Sequence, residues 1–251
     1  MILMKDNFRI FGKSLFFPDD GILVIGDLQL GYEEQLFNSG MAFPLNQLEQ
    51  SINDFQKIID KLREDNLVLK NIVLLGDLKH HFGYNKSESK AVREFLSFLE
   101  RFLPGGGIIL IRGNHEKFLI DNRDYKDYYL TNSGILFLHG HKWFDSIDKK
   151  LLSKVKSVVI AHLHPAIMIS DSAGVKKEKF KCFLIGEFLN KGWFIIPSFF
   201  PLIEGSCINN YPVKNPSKEF SVIPRAKLQS FSVFVPSDDK VLLFGKLRKF
   251  S

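Results

Sequence analysis

The chain has 251 residues, 45% hydrophobic and 25% charged, with a formal net charge of +6. That length suits one large domain able to bury a substantial core, and no apolar run approaches the ~20 residues of a membrane span. The two cysteines, Cys182 and Cys207, form no metal-type pair, so neither a disulfide framework nor a cysteine zinc site is expected. The opening MILMKDNFRIF lacks the long apolar segment and small-residue cleavage site of a signal peptide, and a reducing cytoplasm is the expected location. The positive charge is compatible with an anionic partner, although many basic proteins bind no nucleic acid.

In chain order, residues 1–20 offer short apolar pieces broken by the turn signal Pro18-Asp19-Asp20. Ile22–Ile25 is a near-continuous apolar run of the kind a strand covered on both faces requires, and it runs into GDLQLG. Pro44 opens a helical pattern with Leu45, Leu48, Ile52, Phe55, Ile59 and Leu62 on one face. A strand at Ile72–Leu75 delivers Asp77 in GDLKHH. A helix over Ser87–Leu103 carries Val92, Phe95, Leu96, Leu99 and Phe102, and Pro104 with three glycines ends it. Gly107–Arg112 leads into Gly113-Asn114-His115-Glu116. Strands at Gly134–Leu138 and Ser157–Ile160 deliver LHGH and AHLHP, with Asp145–Lys156 helical between them. After Pro165 come a turn cluster, Ser170–Gly174, and strands at Phe180–Ile185, Trp193–Ile196, Phe231–Val235 and Val241–Phe244. The expectation is one domain: a motif-bearing α/β core over residues 1–165 and a mainly β part over 166–251 packed onto it.

Five apolar runs therefore end in polar motifs, and in an α/β sheet such endings gather at the carboxyl ends of the strands. Asp27, Asp77, Asn114, His139, His162 and His164 supply the mixture of carboxylate, amide and imidazole that suits a pair of Mn, Fe, Zn or similar ions. Two such ions activate water and neutralise phosphoryl oxygens in phosphoester hydrolysis. Any one of these motifs alone is commonly a turn after a strand, and a lone histidine is more often a surface or hydrogen-bonded core residue. Five in one order are hard to explain that way.

The series resembles the calcineurin-like metallophosphoesterase superfamily, whose pattern is D-x-H, G-D, G-N-H-[DE], a lone His, and G-H-x-H. Here the motifs stand as Asp27-Leu28-Gln29, Gly76-Asp77, Gly113-Asn114-His115-Glu116, His139 and Ala161-His162-Leu163-His164. The wording of GDLQLGYEEQLFNSGMAFPLNQ, GDLKHHFG and IIPSFFPLIEGSCIN is similar to archaeal phosphoesterases related to bacterial DNA-ligase-associated phosphoesterases. The resemblance implies a four-layer α/β/β/α sandwich: two mixed sheets flanked by helices. It implies that Asp77 bridges two divalent ions, manganese foremost, with Fe, Zn, Ni or Mg as alternatives. Asp27 and His164 would hold the first, with Gln29 at the place of a histidine ligand; Asn114, His139 and His162 would hold the second. His115 would contact the scissile phosphate and protonate the leaving oxygen, and His141 would be structural.

Two positions depart from the pattern. Ala161 replaces a glycine, a small change. Gln29 replaces an imidazole by a weaker, charge-free oxygen donor, so a looser first site is expected. Lys79 and His80, next to Asp77, are candidate substrate-binding residues, with a solvated loop as the alternative. Arg123, Tyr125 and Tyr128, the lysines 176, 177, 179 and 181, and the basic tail with its phenylalanines are each open to a binding or a packing reading, packing being favoured for the tail and for Trp143-Phe144. The expected function is a metal-dependent phosphodiesterase, including nucleases of DNA or RNA, with no membrane partner. The alternatives are a small-molecule phosphatase and a non-catalytic nucleic-acid-binding protein with a degraded first metal site.

Overall fold

The apolar runs that precede the motifs become the inner strands of two stacked sheets. The computed structural model describes residues 7–40, 46–83, 85–115, 123–170, 176–202, 204–209, 221–237 and 240–250. Pro44, Leu45, Glu116, the 171–174 part of the turn cluster and the tail residues Lys214, Lys218 and Phe220 lie outside them.

The first sheet has six strands in sequential order: β1 (Arg9–Phe11), β2 (Ser14–Phe17), β3 (Ile22–Ile25), β4 (Asn71–Leu74), β5 (Ile108–Ile111) and β6 (Tyr125–Lys126). Strands β3 to β6 run parallel, and β1 and β2 add an antiparallel edge. The second sheet takes β7 (Tyr129–Leu130), β8 (Ile135–Phe137) and β9 (Ser157–Ile160). To these it adds β12 (Phe183–Phe188), β13 (Lys191–Ile195), β15 (Ser232–Pro236) and β16 (Val241–Lys246). A parallel pairing of β13 with β9 carries the late strands onto the early ones. A three-stranded sheet of β10 (Pro165–Ser170), β11 (Lys177–Lys181) and β14 (Ser206–Cys207) completes the set.

The two large sheets press their inner faces together. Leu15, Phe17, Val24, Val73, Leu75 and Ile111 from one meet Phe137, Val159, Phe183, Ile185 and Phe194 from the other, all buried. This explains the continuous apolar runs, since a strand between a sheet and a helix layer has no solvent face. Outside the first sheet lie α2 (Gln47–Glu64) and α3 (Lys86–Glu100), whose apolar stripes meet the outer faces of β3 and β4. Asn85 caps α3, its side-chain oxygen accepting from the amides of Ser87 and Glu88. A short helix not foreseen from the sequence, α1 (Tyr32–Asn38), follows the first motif.

Outside the second sheet the layer is built differently. The helix expected over Asp145–Lys156 is only α4 (Lys149–Lys154), capped by Asp148, and it fully buries none of its side chains. The cover comes instead from Ile167, Ile208, Val222, Ile223, α5 (Arg225–Leu228) and a closing 3₁₀ helix, Leu247–Phe250. The result is a mixed α/β sandwich with helices heavy on one side and thin on the other.

Phe55 is the hinge of the thick side. It is fully buried, and its ring lies 6.2, 5.9 and 6.0 Å from those of Phe95, Phe98 and Phe102. Phe55→Ala is expected to lower the free energy of unfolding by about 3–5 kcal/mol, read from the urea midpoint at unchanged slope.

Candidate metal centre

Three of the five motifs leave their strands through a left-handed backbone. Asp27, Gln29, Asp77, His162 and His164 have φ of 53°, 45°, 50°, 62° and 44°. Such conformations cost a side-chain-bearing residue on the order of 1 kcal/mol each and gather at functional sites. In both Asp27-Leu28-Gln29 and His162-Leu163-His164 the leucine between two left-handed residues is buried in the core, at 1% and 7% exposure, and anchors the turn. Gly76, at φ 80°, has no substitute: a Cβ there would stand 2.6 Å from the Gly113 amide nitrogen and 2.9 Å from His139 Nδ1. The first two motifs run side by side, the amides of Asp27, Gln29 and Leu30 donating to the carbonyls of Gly76, Asp77 and Leu78. Ala161 is accommodated because it faces Gly26, where a Cβ would come within 2.7 Å of the alanine methyl.

The first sheet delivers acids and an amide; the second delivers imidazoles. Asp77 Oδ2 lies 3.4 Å from His139 Nε2. That same nitrogen is 3.0 Å from Asn114 Oδ1 and 3.2 Å from His162 Nδ1. Donor atoms of Asp77, His139 and His162 all fall within 4.8 Å of one another. Beside them Asp27 Oδ1 is 3.1 Å from His164 Nε2, and Asp27 Oδ2 accepts from the His162 amide at 3.1 Å. His139 is wholly buried, and its Nδ1 donates to the Leu75 carbonyl at 2.6 Å, which aims Nε2 at Asp77, Asn114 and His162.

Burial alone would raise the Asp77 carboxyl, but the charge and hydrogen bond of His139, followed by His115, hold it well below the usual carboxylate range. Burial alone would lower His139, but Asp77, Asp27 and the Leu75 carbonyl lift it to about 9. His164 is raised for the same reason: Asp27 outweighs its burial. These residues fit a divalent cation. Asp27 Oδ1 is buried with no well-formed hydrogen bond despite the nearby His164 ring, and carboxylate, amide and imidazole donors converge without a lysine or arginine among them. Asp77, Asn114, His139 and His162 would hold one ion. Asp27 and His164, with Gln29 two residues after Asp27, would hold another.

His115 stands over this cluster. Its amide donates to Asp77 Oδ1 at 3.0 Å and its Nε2 lies 3.7 Å from Asp77 Oδ2. Its Nδ1 hydrogen-bonds the His80 carbonyl, and its ring stacks on Phe82 at 4.0 Å. Lys79 through its ammonium and His80 through its carbonyl both hold this segment in place. The Lys79 side chain is buried at 1% exposure, and its ammonium donates to the carbonyls of His81, Gly83 and His115, the last two at 3.0 and 3.1 Å. The His80 ring packs edge-on against Tyr32, and burial and then His115 lower its pKa to about 4.

Two supporting residues, Gln47 and Glu88, are not marked by the sequence, and a third, Lys181, has its role settled by tertiary partners. Gln47, 1% exposed, donates to the carbonyls of Leu28 and Gln29 and accepts from the Gly31 amide, which latches the first motif. Glu88, also buried, accepts from the His81 amide. Lys181 donates to Ser198 and Phe200, and the 198–200 segment in turn donates to the carbonyls of Gly26 and Asp27. Burial, then Lys13, lowers Lys181 to about 7. An amide or lysine at a position the periodicity makes apolar was the available signal for Gln47. Arg123 pairs with Glu100 at 2.8 Å, while Tyr125 and Tyr128 pack into the cores on either side.

The calcineurin-like phosphoesterase family model matches residues 21–207. No curated protein matches the chain at a significant level. Among solved structures, the nuclease MPE of Pseudomonas putida aligns over 95% of this chain and all of its own, at 14% identity and a TM-score of 0.56. Zinc-complexed Vps29 of Entamoeba histolytica covers 88% and 96% of the two chains at 14% identity and a TM-score of 0.38. A predicted phosphoesterase of Streptococcus pneumoniae covers 90% and 97% at 12% and 0.33. At 14% identity the likeness to the nuclease is one of fold.

Two measurements probe the cluster. His139 sits near 9, above the ~6.5 of a free imidazole. In metal-free protein its ion pair with Asp77 therefore contributes fully below pH 6.5 and is lost as pH rises through about 9. Urea unfolding of EDTA-treated protein should show stability falling across that window; a flat profile would remove the ion pair from the account. Lys79→Met strips three carbonyls of their charged donor and is expected to cost on the order of 3 kcal/mol in the same assay.

Proposed function

The chain belongs to the calcineurin-like phosphoesterase family, and from that premise we propose that it is a metal-dependent phosphodiesterase acting on DNA or RNA. The observation that carries the reading is the convergence of Asp77, His139 and His162, with Asn114 alongside and Asp27 and His164 adjoining. The basic charge and the fold shared with a nuclease support a polyanionic substrate.

Divalent ions bound there supply Lewis acidity to the phosphoryl oxygens and lower the pKa of a water. The chain's own residues do the rest. Asp77, kept ionised by His139 and His115, would serve both ions. His139 and His162 present ring nitrogens whose orientation the Leu75 carbonyl and the left-handed turn fix. The His80 carbonyl takes the Nδ1–H of His115, so Nε2 is the atom left to hold a proton for the leaving oxygen. Phe82 lies against that ring and shields one face from water.

A specific observation favours unequal sites. The compact three-residue group belongs to the second set, while the first has Gln29 where a third charged or imidazole donor would strengthen it. We take manganese as the first ion to test; the protein is expected to bind one ion tightly and one weakly.

The decisive assay is hydrolysis of bis-p-nitrophenyl phosphate with and without Mn. Wild type should be active only with the ion, and His115→Ala should lose about 10²–10⁴-fold in kcat. No turnover by Mn-loaded wild type would favour a binding protein with a relic site. In calorimetry, Gln29→His should tighten the weaker Mn site, by roughly tenfold or more; two equally tight sites in wild type would sink the idea of inequality.

A further inference from the structure

A pocket of about 510 Å³ opens directly against the centre, with Asn114 in its wall. Asn114 Oδ1 is 3.0 Å from His139 Nε2, so whatever enters the pocket adjoins the proposed ions. Its other walls include Arg112, Lys142, His141 and Phe144, with Asp127 the acid among the described lining residues. That volume is of the size that takes a small organic ligand.

The lining is built for an anion that carries a ring. Arg112 reaches Asp127 only at 3.8 Å, beyond hydrogen-bond length, and its Nε is buried with no hydrogen-bond partner. His141 Nδ1 is likewise buried and unpartnered. A buried polar atom without a partner is costly, which favours an incoming anion beside the Arg112 guanidinium. Lys142 Nζ lies 4.9 Å above the Phe144 ring, and Phe144 meets His141 edge-on at 5.9 Å. Cations at the rim and an aromatic floor are the combination that tracks a nucleic-acid strand, phosphates on the charges and bases on the rings.

We propose that this pocket seats the neighbouring phosphodiester of a nucleic-acid strand whose scissile diester lies at the centre, with the intervening nucleoside against Phe144. The proposal rests on the phosphodiesterase reading above and narrows its substrate to strands with at least two successive phosphates. Arg112 and Lys142 are its anion ligands. Asp127 competes for Arg112 until substrate arrives.

A dinucleotide has one phosphodiester and a trinucleotide has two, so the pair isolates the second phosphate. With Mn-loaded protein, the trinucleotide should exceed the dinucleotide in kcat/KM by roughly tenfold, the equivalent of one good charged contact. The combined Arg112→Gln and Lys142→Gln variant should bring that ratio close to one. Asp127→Asn, which frees the guanidinium, should raise it. Wild type that cleaves bis-p-nitrophenyl phosphate and both oligonucleotides with equal kcat/KM would overturn the subsite alone. So would variants that keep the wild-type ratio. Wild type inactive on all three substrates would overturn the hydrolase reading, and this inference with it.

Discussion

A carboxylate taken out of water needs a partner of opposite charge or several donors. Asp27 and Asp77, at 0% and 2% exposure, have theirs on the opposing sheet. His139 answers Asp77 and His164 answers Asp27, so each acid of the first sheet meets an imidazole of the second. The sandwich is therefore closed at its carboxyl end by charge as well as by the apolar layer between the sheets. Much of the site follows from this rim: Asp77 stays ionised, the His139 ring keeps its orientation, and the loops that carry them are fixed against each other.

A second tier of residues makes that rim rigid. Gln47, Lys79 and Lys181 are each a single side chain bonded to two or three backbone groups of loops that bear or flank ligands. One lysine fastens the His115 turn to the loop after Asp77. The other fastens the segment after β13, whose amides donate to the first motif. A loop held this way keeps its strained left-handed residues in place, where an unsupported one would relax.

Much of this was legible in the sequence, for a physical reason. Strands β3, β4, β5, β8 and β9 sit between two layers, so they read as unbroken apolar runs, and a motif after such a run has a defined place at a sheet's end. The ligand residue types carried their own chemistry. What escaped notice were features that depend on tertiary partners. The α1 helix, between Gly31 and Gly40, is too short for periodicity to mark it. The expected helix over Asp145–Lys156 shrinks to α4, because segments after residue 165, two short helices among them, provide the cover. Lys79 beside a metal-type aspartate reads as a cation aimed at phosphate; nothing local says that its ammonium folds back onto three carbonyls. The phenylalanines near the chain's end pack, as expected: Phe231 is buried beneath the second sheet and Phe234 packs against the inter-sheet core.

The meeting of Gly26 with Ala161 ties two distant positions into one inherited unit. The sheets approach so closely there that only one of the pair has room for a methyl group. Alanine at 161 commits position 26 to glycine, and a lineage with glycine at 161 would be released from that commitment. Drift at either site is thus conditional on the other, and a pair of exchanges, Gly26→Ala with Ala161→Gly, has a passable route only through the double-glycine intermediate. The double-alanine route would force the sheets apart at the end where the ligands must stay in register.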